Sequence, residues 1–73
     1  MAHDMNKFEA ERLAQQLRSQ HTEGSFVVVA HGKLLSNLGQ AYVVEKRAWG
    51  GVLVAVYASP DHQIGVLEYG TGA

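Results

Sequence analysis

The sequence contains no cysteine, a single proline and no apolar run longer than residues 52–58, "VLVAVYA". Without cysteine, no disulfide can staple a chain of 73 residues, and a metal staple would have to come from four scattered histidines. A membrane-spanning helix needs about 20 apolar residues, which the longest run here does not approach. Excess charge of one sign is also missing. Six Lys and Arg stand against seven Asp and Glu, and no run of like charge exceeds the pair Lys46-Arg47. Electrostatics alone would therefore hold the chain on neither nucleic acid nor an anionic membrane. The opening "MAHDM" has neither the basic nor the apolar segment of a secretory signal, so a cytoplasmic location is expected.

What is present reads as one small α+β domain over residues 1–73, with flexible ends at 1–5 and 70–73. A domain of this size buries only about 60% of its unfolded surface, so self-association is an accessible extra source of stability. Asn6 followed by Glu9 has the spacing of a capping box, which predicts a helix over residues 7–21. Ala10, Leu13, Ala14 and Leu17 form its apolar stripe, while Phe8 lies off it and needs cover from elsewhere. Past Gly24 the pattern becomes that of strands. "SFVVVA", residues 25–30, is apolar on both faces and predicts an interior strand, with a turn at His31-Gly32. "KLLSNL", residues 33–38, fits either a returning strand or a short helix. "AYVVEKRAW", residues 41–49, mixes charge into both faces and predicts an edge strand. Gly50-Gly51 then signals a two-residue hairpin, residues 52–58 an interior strand, Ser59-Pro60-Asp61 a turn, and residues 64–69 the last strand.

The expected architecture is one amino-terminal helix on an antiparallel sheet of four or five strands. A single helix covers one sheet face, yet the strands carry apolar residues for two. The second face then requires a homodimer, joined by sheet face or sheet edge, or a bound ligand.

No catalytic constellation emerges. Ser59, Asp61 and His62 sit too close along a proline turn to converge as a triad, and "HGK" at residues 31–33 lacks the rest of a phosphate loop. His21, His31 and His62, with Asp61 or Glu68, lack the paired spacing of a metal site. The expectation is a protein that is not an enzyme and carries no cofactor or metal. Arg47, Trp49 and Tyr42 are of the residue types that anchor protein interfaces, and with Phe8 they form the expected interaction set.

"GVLVAVYASPDHQIGVLEY" resembles the ending of the Roadblock (dynein light chain) domain, and "LAQQLRSQHTEGSFVVVAHGKLLSNLG" is similar to that domain's opening helix and glycine hairpin. Gly32, Asp61 and the Ile64-Gly65 pair carry the likeness. Where the family inserts a long middle helix, only Gly39, Gln40 and Ala41 stand here, and the final helix is missing. Each residue spans at most about 3.6 Å, so so short a link forces either a plain meander or completion by strands of a second copy. The resemblance implies a truncated Roadblock-like fold and a small homodimeric regulator that partners a small Ras-like GTPase. The second expectation is a small-molecule-binding regulatory domain using the open sheet face.

Overall fold

The computed structural model describes residues 4–34, 39–60 and, for the backbone alone, 66–68. It has an α+β architecture in the order α1 (Lys7–Gln20), β1 (Ser25–Lys33), β2 (Gln40–Arg47), a 3-10 turn (Trp49–Gly51), β3 (Leu53–Tyr57) and β4 (Val66–Glu68). All pairings are antiparallel and the order is β1-β2-β3-β4, a plain meander. The helix packs on β1 and β2 to the same extent.

The helix starts where its cap dictates. Asn6 Oδ1 accepts from the Glu9 amide at 2.8 Å, and Glu9 Oε1 accepts from the Asn6 amide at 2.9 Å, so two amides that a helix start leaves unpaired are satisfied. It ends one residue before the expected limit, with His21 as C-cap. Ala10, Leu13, Ala14 and Leu17 are buried as the stripe requires. They meet Phe26 of β1, Val44 of β2, and Ala55 and Tyr57 of β3, with Val28 and Tyr42 packed at the margin. Met5, which sequence reasoning placed in a loose terminus, is fully buried, and its carbonyl accepts from the Tyr42 amide at 2.9 Å. Gly24 joins helix to sheet at φ 79°, and a Cβ there would lie 2.8 Å from the Arg47 carbonyl oxygen. Only glycine suits both conditions.

Several expectations are corrected. Residues 25–30 belong to an edge strand, because nothing among the described residues pairs with β1 on the side away from β2. Residues 41–49, expected at the edge, supply the interior strand β2, whose charged residues cluster at its end, where Glu45 and Arg47 point away from the helix core. His31-Gly32 is not a turn: β1 continues to Lys33 through a register shift that Gly32 accommodates at φ 71°, as a bulge does. The hairpin after β2 is longer than two residues. The Gly51 amide bonds the Ala48 carbonyl at 3.0 Å, and the Ala48 amide bonds the Val52 carbonyl at 2.7 Å. Gly50, at φ 85° and ψ 3°, takes the third position of a type II turn. β3 is interior as expected. The choice between strand and helix at residues 35–38, and the roles of Asp61, His62, Ile64, Gly65 and residues 69–73, lie outside the described residues.

Candidate interaction surface

Among the described residues, the side of β1 away from β2 is the one strand edge next to the helix that no strand pairs. Two hydrogen bonds fix which of its backbone groups face outward. The Tyr42 amide points to Met5, on the side of β2 opposite Ala30. Antiparallel strands alternate their bonding direction residue by residue, so Val43, Glu45 and Arg47 bond toward β1 while Tyr42, Val44 and Lys46 bond away. Their register partners on β1 follow: Ser25, Val27 and Val29 bond β2, whereas Phe26, Val28 and Ala30 aim outward. Independently, the Phe26 carbonyl accepts from Arg18 Nη2 at 2.6 Å, as an outward group can.

Beside this edge runs a groove of about 720 Å³ between α1 and β1. Phe8, Glu11, Arg12 and Arg18 form its helical wall, and Phe26 and Val28 are on the strand side. Phe8 is 66% exposed, with the Arg12 guanidinium 5.5 Å from its ring centre. From Ser25 to Ala30 the strand carries neither a charge nor a proline, two of the devices by which edge strands discourage pairing; a third, the bulge at Gly32, lies beyond that stretch.

The expected interaction residues do not converge. Phe8 lines the groove. Tyr42 is half-buried, packed against the core beside Met5. Arg47 binds Glu45 Oε1 through Nη2 at 2.8 Å and Nε at 3.2 Å, and the Gly51 carbonyl through Nη1 at 2.8 Å. It thereby clamps the hairpin. Trp49 stands 96% exposed at the hairpin tip. Tyr42 pairs with Ala30 and Arg47 with Ser25, which places them at opposite ends of β1. Glu11, Arg12 and Arg18 also line the groove, and nothing in the sequence sets them apart from other residues on the polar face of the helix.

Of the triad candidates, Ser59 is 2% exposed, and Asp61 and His62 lie outside the described residues. His21 packs on Phe26, ring centres 5.5 Å apart, while His31 falls beyond Ala30 at the other end of the strand. Among the described residues no three His, Cys, Asp or Glu side chains come together to hold a metal. No described helix is long and apolar enough to cross a membrane. Comparison with protein-family models, with curated proteins and with solved structures finds no match to this chain.

Proposed function

We propose that this chain is a non-enzymatic interaction protein that works as a homodimer and engages polypeptide by strand addition at the free edge of β1. The observation that carries this reading is the edge itself: outward amides and carbonyls at Phe26, Val28 and Ala30, on a stretch of strand without charge beside an open groove. Main-chain bonds would supply affinity, and the groove would select side chains. The resemblance of the sequence to Roadblock domains supports, by itself, a small Ras-like GTPase as the further partner of such a dimer, and a cytoplasmic site of action.

Sedimentation equilibrium across a concentration series tests the core of the proposal. The expected result is a reversible monomer–dimer equilibrium, with slowed exchange of the Val28 and Ala30 amides in the dimer. A monomer at all concentrations overturns it. Binding assays against Ras-like GTPases loaded with GDP or a GTP analogue test the partner, and indifference in both states overturns that part.

A further inference from the structure

Resting on the homodimer reading, we propose that the added strand is β1 of a second copy, paired antiparallel about a twofold axis at Val28, so that the two α1 helices lie side by side. Self-pairing must set outward-facing residues opposite one another, because only these have free amides and carbonyls. Phe26, Val28 and Ala30 are the outward set, and the bulge at Gly32 limits regular pairing beyond Ala30. Centring on Val28 places Val28 opposite its own copy and Phe26 opposite Ala30 of the other chain, so every outward residue is paired. Two other choices are permitted near the middle: centring on Val27 sets Ala30 against Gly24, which lies outside the strand, and centring on Val29 sets Phe26 against Gly32 in the bulge. The Val28 register therefore makes the most bonds. The Phe26 carbonyl keeps its bond from Arg18, since a carbonyl has two lone pairs.

The antiparallel arrangement also puts the end of one copy that carries Glu23 at the end of the other that carries Lys33, so the two ends of the interface are complementary in charge. The helices supply a second, independent fit. Neighbouring strands lie about 4.8 Å apart, and α1 packs equally on β1 and β2, which sets it over the line between them. Edge pairing then separates the two helix axes by about twice the strand spacing, roughly 9.6 Å, within the 8–10 Å of packed helices. Phe8, stranded in solvent on one subunit, gains cover from the other helix. Antiparallel helices also bring Glu11 of one copy near the arginines of the other. An unrelated extended peptide would satisfy the strand edge but provide no helix for Phe8.

Because the chain has no cysteine, single thiols report the register directly. Val28→Cys should form a disulfide-linked dimer under mild oxidation, since directly opposed residues have Cα atoms about 5.5 Å apart. Val27→Cys and Val29→Cys should cross-link when mixed and not separately, because each faces the other across the axis. These two sites point away from the helix core, so they keep the test valid if Val28→Cys does not fold. Phe8→Ser should raise the dimer Kd about tenfold or more. A sedimenting dimer in which Val27→Cys links to itself, or in which no β1 thiol links, overturns this register while leaving the homodimer intact. A monomer overturns both, including a monomer whose β1 amides are protected only by an unrelated extended peptide.

Discussion

β1 and β2 are neighbours under the same helix, yet among the described residues β2 is bonded on both sides and β1 on one. Val44 on β2 is fully buried, whereas Val27 on β1 is 43% exposed. Even the arginines near their ends do different things. Arg47 belongs to β2 and locks a hairpin through Glu45 and Gly51. Arg18 reaches from the helix to occupy an outward carbonyl on β1. The difference shows that similar apolar content can lie in an interior strand or along an edge, because position in the sheet is set by strand order rather than by composition.

The largest effect should come from placing the same charge on both strands. Val44→Asp buries an unpaired carboxylate at a cost of several kcal/mol, comparable with the whole stability of a chain this size, so circular dichroism should find it unfolded. Val27→Asp should stay folded, within about 1 kcal/mol in urea titrations at low concentration, and should lose dimerisation. Equal destabilisation by the two would erase the distinction between the strands.

Two glycines sharpen it next. Gly24→Ala should cost about 2 kcal/mol or more, because positive φ is joined by a collision with the Arg47 carbonyl. Gly32→Ala meets no atom within 4 Å and should cost about 1 kcal/mol through its φ alone. Chemical denaturation of both variants measures the gap. Arg47→Ala follows, at about 1 kcal/mol: the salt bridge is partly exposed, and its loss leaves a largely covered Glu45 without its partner. Trp49→Ser should change stability by less than about 0.5 kcal/mol, since the ring touches almost nothing within the subunit. If Trp49 instead proves stabilising at high protein concentration only, the hairpin tip belongs to the dimer contact and the β1 register must be revised.

Legibility followed the range of the interactions. The start of α1 was readable because a capping box is local, with both partners three residues apart. The stripe from Ala10 to Leu17 was readable because helical periodicity is local too. The positions of β1 and β2 were not, because an apolar strand reads the same whether its second side meets its own chain or another. Glu45, Lys46 and Arg47 suggested an edge, but they crowd one end of β2, where the lysine ammonium lies 5.9 Å from the Phe26 ring centre and arginine bonds the hairpin. The interaction set fared likewise. The exposure of Phe8 was legible because it violated the stripe, while the bond from Arg18 was not, because its partner, a carbonyl eight residues away, has no sequence signature.

By itself the sequence determined the helix, its buried face and the glycine-rich hairpin, since caps, periodicity and composition act over a few residues. Tertiary structure decided that β1 is the open edge, which of its backbone groups face outward, and that Phe8 shares a groove with them. Those outcomes depend on which strand lies beside which, and strand order is fixed by contacts between residues far apart in the chain.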